Sequence, residues 1–133
     1  NPSLNASAAN WWEADVFQAL RQLHAERRSF DLVILDPPKF APSAAHAERA
    51  ARAYKDINLH GFRLLKPGGI LMTYSCSGGI GGELFQSIVA GAARDAAVDA
   101  RIIHRLSAAP DHPIGLAAPE GEYLKGLACQ VGY

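Results

Sequence analysis

The chain has 133 residues, about half of them apolar and a fifth charged, which fits one globular domain and excludes a disordered segment. Its 13 basic and 13 acidic side chains cancel, so no global charge favours nucleic acid or membrane, and any basic footprint must be local. No apolar run approaches the roughly 20 residues of a membrane span, and two cysteines, Cys76 and Cys129, are too few for a disulfide scaffold, which points to a reducing, cytoplasmic setting. The chain opens Asn1-Pro2-Ser3 without Met and without a basic-then-apolar leader, so the expectation is a non-secreted piece of something longer, with residues 1–133 forming part of one domain.

In chain order, Trp11 to Val16 fits a short strand. From Asp15, a plausible N-cap, Phe17, Leu20, Leu23 and His24 share one helical face, and Arg27 and Arg28 suit its C-terminal end. Phe30 to Leu35 is a continuous, β-branched apolar run, the pattern of a strand buried on both faces of a parallel sheet. Asp36-Pro37-Pro38 ends it, because two prolines cannot continue a central strand. A helix follows over about 45–65, with Ala47, Ala51, Tyr54, Asn58, Phe62 and Leu65 on one face. Lys66-Pro67-Gly68-Gly69 reads as its terminating turn. Ile70 to Ser75 is the next strand, residues 77–82 form a Gly-rich loop, and Ile80 to Ala93 is an amphipathic helix. Ala100 to Leu106 and Tyr123 to Val131 are strands joined by a loop carrying Pro110, Pro113 and Pro119. This alternation predicts an α/β domain: a parallel sheet with helices on both faces and an antiparallel last strand. Ligands in such sheets sit beyond the carboxyl ends of the strands. Two of those ends carry chemical groups, Asp36-Pro37-Pro38-Lys39-Phe40 and Ser75-Cys76-Ser77.

Four segments carry a family resemblance: FDLVILDPPKF (30–40), YKDIN (54–58), LLKPGGILMTYSCSGG (64–79) and EGEYLKGLACQV (120–131). Together they resemble the C-terminal part of a class I S-adenosylmethionine (SAM)-dependent methyltransferase, most closely the large-subunit (23S) ribosomal RNA 5-methylcytosine methyltransferases. DPP alone is shared by many methyltransferases, whereas DPPKF with YSCS at this spacing is more specific. The resemblance implies an incomplete Rossmann-like sheet, because the Gly-rich SAM strand and the acidic ribose strand of the family have no counterpart here. It also implies ribosomal RNA as partner, no membrane, and an inactive chain when alone. The strand ending at Asp36 would lack its usual neighbour, and such an edge tends to find one, for instance a second copy of the chain.

The chemistry implied is demanding. Pyrimidine C5 is a poor nucleophile until a thiolate adds to C6, and the base must be extruded to be reached. Cys76, after an apolar strand and before a Gly-rich loop, is the expected nucleophile; the bland alternative is a small buried hydrophobe. Asp36 is expected to contact the base and polarise it, and otherwise would be a turn aspartate. By the resemblance Asp36 and Pro37 also border the cofactor, and Pro38, Lys39, Phe40 and Lys55 border the substrate. Lys39 reads equally as a phosphate contact or a solvated loop residue, and periodicity alone makes Lys55 and Asp56 a solvated face. Asp15 matches the family position that contacts the SAM adenine amino group, and a helix cap is as natural a reading. Cys129 reads as core, and neither the five histidines nor the cysteines show metal-ligand spacing.

The nearest rival is an amino-methyltransferase gripping an exocyclic nitrogen of adenine or guanine with a DPP loop. Lys39 between Pro38 and Phe40, and a cysteine at the next strand end, disfavour it. A 5-methyluridine enzyme usually has Asn-Pro after its cysteine, where this chain has Ser77-Gly78. A non-catalytic half-domain serving dimerisation belongs to a different class, as does a flavodoxin-like binder, which would want a phosphate loop after its first strand.

Overall fold

The computed structural model describes residues 12–38, 40, 44–77, 79–106 and 124–132. The first element is α1 (Val16–Ala25), and the residues before it, 12–15, form no strand. Asp15 explains the difference. Its extended backbone and its carboxylate, which accepts from Phe17 N and Gln18 N, start a helix at once, and Trp12 is left 53% exposed.

Strand β1 (Phe30–Leu35) follows, then a 3-10 turn (Ala44–His46) into α2 (Ala47–Arg63). Strand β2 (Leu65–Ser75) begins five residues earlier than the apolar pattern predicts. Phe30 pairs with Leu65 and Leu32 already pairs with Ile70, so Lys66-Pro67-Gly68-Gly69 is an excursion within the strand. Gly68 at φ +84 makes the turn, and a Cβ on Gly69 would meet the Lys66 carbonyl oxygen at 2.8 Å. The turn chemistry is as predicted; parallel pairing with β1 is what carries the strand back through it.

Helix α3 (Gly82–Asp95), β3 (Ala100–Leu106) and β4 (Lys125–Val131) complete the described elements, and the proline-bearing loop of 107–123, with His112, lies outside them. The sheet order is β1-β2-β4-β3, with β1 parallel to β2 and β4 antiparallel to both neighbours. The antiparallel last strand is as expected, inserted between β2 and β3.

Among the described residues, the expectation of helices on both faces is corrected. α1 packs on α2, and α2 on α3, in one layer. Both crossovers, β1-α2-β2 and β2-α3-β3, step the same way across the sheet, and right-handed crossovers then place both helices on one face. Beneath that layer lie Leu35, Leu71, Leu127, Cys129 and Val131, packed with Tyr54, Phe62, Phe85 and Val89. The α2 backbone comes so close that a Cβ on Gly61 would meet Leu35 Cδ1 at 2.9 Å and Leu71 Cδ1 at 3.2 Å. By strand alternation Leu32, Ile34, Ile70, Met72 and Tyr74 point the other way. Leu32 is 50% exposed and Ile34 is 58% exposed.

Candidate functional site

Parallel pairing brings the carboxyl ends of β1 and β2 side by side. Leu35 stands opposite Thr73, so the chain leaves the sheet at Asp36 beside the point where β2 runs out at Ser75. Burial alternates on both exits: Asp36 is exposed and Pro37 buried, Cys76 is half-buried and Ser77 buried. The structure thus brings Asp36, Pro37, Pro38 and Cys76 to one end of the sheet. Asp36 and Cys76 turn off the helix-packed side, and Pro37 anchors the loop under it.

Ser77 ties the two exits together. Its Oγ lies 2.5 Å from the Tyr54 hydroxyl and accepts the Phe40 N–H at 3.0 Å. Its own N–H donates to Ser75 Oγ at 3.3 Å. Its carbonyl accepts Ile80 N at 3.2 Å, closing the turn into α3, and Lys125 Nζ at 3.0 Å. Cys76 therefore sits between two buried serines, each fixed by hydrogen bonds. Because Tyr54, Ser75 and Ser77 are fully buried, breaking one partner strands another, at a cost of about 1–3 kcal/mol.

Phe40 is held by aromatic packing. Its ring packs edge-on to Tyr54 at 4.8 Å and lies 6.3 Å from Phe17, so it anchors the Asp-Pro-Pro loop to α1 and α2. Lys55 is not brought to the strand ends. It runs along α3 past Gly91, and its Nζ lies 2.9 Å from Asp95 Oδ2 at the far end of that helix. Asp56 accepts from His60 Nε2 at 3.3 Å, and burial pushes the His60 pKa below its usual value. Asp15 caps α1 through Oδ1. Lys39 lies outside the described residues.

The two cysteines differ in kind. Cys129 is 3% exposed in β4, and burial pushes its thiol up to about 11, so it stays protonated at neutral pH. Cys76 is a half-buried free thiol at a strand end. Lys125 stands opposite Ser75 in the β2–β4 register. Burial pushes its ammonium below the usual lysine range, and negative charge on Cys76 works against that shift. Sequence reasoning missed Lys125 and Tyr54. Tyr54 enters the sequence reading as an apolar face position and within the YKDIN segment, and the partner of Lys125 depends on the β2–β4 register, which pairing across the sheet decides.

Parallel strands ending in Asp-Pro-Pro and Ser-Cys-Ser, with an antiparallel strand inserted beyond them, form the α/β fold of SAM-dependent methyltransferases. Solved structures bear this out: a protein assigned as a methyltransferase and complexed with SAH matches 89% of this chain and 30% of its own (TM-score 0.72, 17% identity). A methyltransferase homologue from Pyrococcus horikoshii matches 86% of this chain and 43% of its own (TM-score 0.55, 19% identity). Among curated proteins, the chain is similar to the ribosomal RNA large subunit methyltransferase I of Shewanella amazonensis, 56% identical over 128 residues, covering 96% of this chain and 32% of that protein. The protein of the same name from Aeromonas salmonicida is 55% identical over 124 residues, covering 93% of this chain and 31% of its own. The chain thus spans about a third of the length of the curated relatives it matches. No protein-family model matches it. Among the described residues, no helix is long and apolar enough to cross a membrane.

Proposed function

We propose that this chain is the base-pocket part of a SAM-dependent methyltransferase that modifies C5 of a cytosine in large-subunit ribosomal RNA, in the cytoplasm, with Cys76 as covalent nucleophile. One observation carries the reading. A half-buried thiol and an exposed carboxylate, Cys76 and Asp36, leave adjacent parallel strands at one end of the sheet, and the buried Ser77 bonds hold their loops together. The names of the curated relatives supply the substrate class.

The residues present fit part of a SAM site. Asp36 offers an exposed carboxylate on a rigid proline loop, and Asp15 has a second carboxylate oxygen beyond its cap bonds. Among the described residues no Gly-rich strand adjoins β1, so the described residues hold only that part. When bound, SAM supplies an electrophilic methyl group. The chain's own side chains do the rest. Cys76 Sγ, as thiolate, adds to C6, which makes C5 electron-rich. Asp36 hydrogen-bonds the N3/N4 edge of the flipped base, and the Pro37 and Pro38 carbonyls, which belong to residues without an N–H, accept from its amino group. After methyl transfer a base takes the C5 proton, the C6–S bond breaks and the thiolate returns. Lys39, the next residue in sequence, is proposed to meet a phosphate or the substrate. The open edge of β1 is proposed as the place where a further strand pairs, in a second copy of the chain or in a longer protein.

The test uses a protein of the relatives' full length that contains this segment, with labelled SAM and unmodified large-subunit RNA. Transfer to cytosine C5 that disappears in Cys76→Ala is the expected result. Transfer that survives Cys76→Ala removes the nucleophile and favours exocyclic-amino methylation by the Asp-Pro-Pro loop. No transfer and no SAM binding leaves a half-domain that serves assembly.

A further inference from the structure

A cysteine thiol has an ordinary pKa of about 8.5, so at neutral pH only a few per cent is thiolate unless a nearby cation or dipole stabilises it. Any reaction through Cys76 therefore needs an activating group, and among the described residues a lysine ammonium is bonded to the loop. Lys125 opens β4 directly opposite Ser75. Its Nζ donates to the carbonyl of Ser77, the residue after Cys76, at 3.0 Å. That carbonyl also accepts Ile80 N, so the ammonium bonds the same atom that closes the turn into α3. Lys125 is half-buried, and a half-buried cation acts across a lower dielectric than a solvated one.

We propose that Lys125 is the positioning residue that makes Cys76 a nucleophile, fixing the Ser77 carbonyl and presenting its positive charge to the Cys76 thiolate. The inference rests on the reading of Cys76 as the nucleophile. It needs no co-reactant: the thiol proton passes to solvent, and the ammonium remains protonated throughout. Among the described residues, other ionisable groups at this end of the sheet are Asp36 after β1, Tyr54 on α2, Glu83 in the first turn of α3 and Arg105 in β3. Asp36 and Glu83 oppose thiolate formation, Arg105 is engaged by Gln86 Oε1, and Tyr54 is bonded to Ser77. Among the described residues, Lys125 is a cation bonded to the cysteine loop itself.

The experiment follows alkylation of Cys76 by iodoacetamide against pH in the full chain, read on the Cys76 peptide by mass spectrometry. Cys129, buried and protonated, serves as the internal control for global opening. The variants are Lys125→Gln, which keeps a donor for the Ser77 carbonyl without the charge, Lys125→Met, and Lys125→Arg. Removing the charge is expected to raise the alkylation midpoint by about one pH unit, slowing the reaction about tenfold at pH 7. Lys125→Arg is expected to keep the wild-type midpoint. An unshifted midpoint in Lys125→Gln overturns the proposal, as does an equal shift in Lys125→Arg. If Lys125→Met exposes Cys129, the Gln and Arg variants carry the decision. The two readings fail separately: methyl transfer that survives Cys76→Ala removes the nucleophile and leaves the alkylation result standing, whereas Cys76-dependent transfer with an unshifted midpoint removes only Lys125.

Discussion

The two faces of the sheet are made from alternate residues of the same strands, yet they meet different surroundings. On one face Leu35, Leu71, Leu127 and Val131 are sealed under three helices, together with Tyr54, Phe62 and Phe85. On the other, Leu32 and Ile34 remain more than half or half exposed, at a β1 edge that carries no further strand among the described residues. Asp36 and Cys76 turn off the sealed side, whereas Pro37 and Ser77 are buried within it. The difference teaches where the chain's stability and its chemistry reside: the helix layer holds the fold, and the reactive groups project from its margin toward the side that is less covered.

The sharpest way to break this comparison is to hollow out the sealed face. Phe85, 1% exposed and packed edge-on to Tyr54, is expected to cost about 3–5 kcal/mol when changed to alanine, measured by urea unfolding. A loss below about 1 kcal/mol would mean that the helix layer is not the stabilising one. Next in size is Ser77→Ala, which leaves the Tyr54 hydroxyl and the Phe40 N–H without their shared partner. It should cost about 1–3 kcal/mol and quicken proteolysis within the Asp36–Phe40 loop, an outcome that equal cleavage rates in both proteins would contradict.

A smaller effect concerns pH. His60 is buried on α2 beside Asp56, with Arg63, Arg21 and His24 facing it, and burial is the main cause of its lowered pKa. The unfolded chain then binds the proton more readily than the folded one. Stability is full above the ordinary histidine value and falls as pH drops through it toward the folded value. Replacing His60 with Gln should flatten that part of the stability–pH curve, and a slope that persists in the variant assigns it elsewhere. Smallest of all is Ile34→Ala on the open face, expected to change the stability of the isolated chain by no more than about 0.5 kcal/mol. A loss comparable to Phe85→Ala would show that a second copy covers this face in solution, and the melting temperature would then depend on concentration.

How much could be read beforehand follows from which forces are local. The break after Leu35 was legible because proline has no donor for a ladder, and the apolar face of α2 was legible from its 3.6-residue period. Cys76 at a strand end was legible from the apolar run before it. The one-sided helix layer was not, because it depends on the spatial order of strands, which pairing across the sheet decides. The continuation of β2 through Lys66–Gly69 was hidden for a similar reason: a proline and two glycines read as a stop until a parallel neighbour supplies the pairing. Phe40 and Lys55, both expected at substrate, contact Tyr54 and Asp95, residues distant in sequence that no local pattern pairs with them. Lys125 gave a single charge at the head of an apolar strand, and only the antiparallel register shows that it faces Ser75.

The insertion of β4 between β2 and β3 also orders events in time. Of the four strands β4 is synthesised last, and among the described residues β3 pairs with no other. During translation the β1–α2–β2 unit can assemble while β3 waits as an unpaired strand, the kind of transient edge that invites misassociation before folding is complete. The bond from Lys125 to the Ser77 carbonyl can form only when β4 docks. Closure of the sheet and completion of the cysteine loop are thus the same late step, so a nascent or truncated chain lacks this bond at its reactive loop.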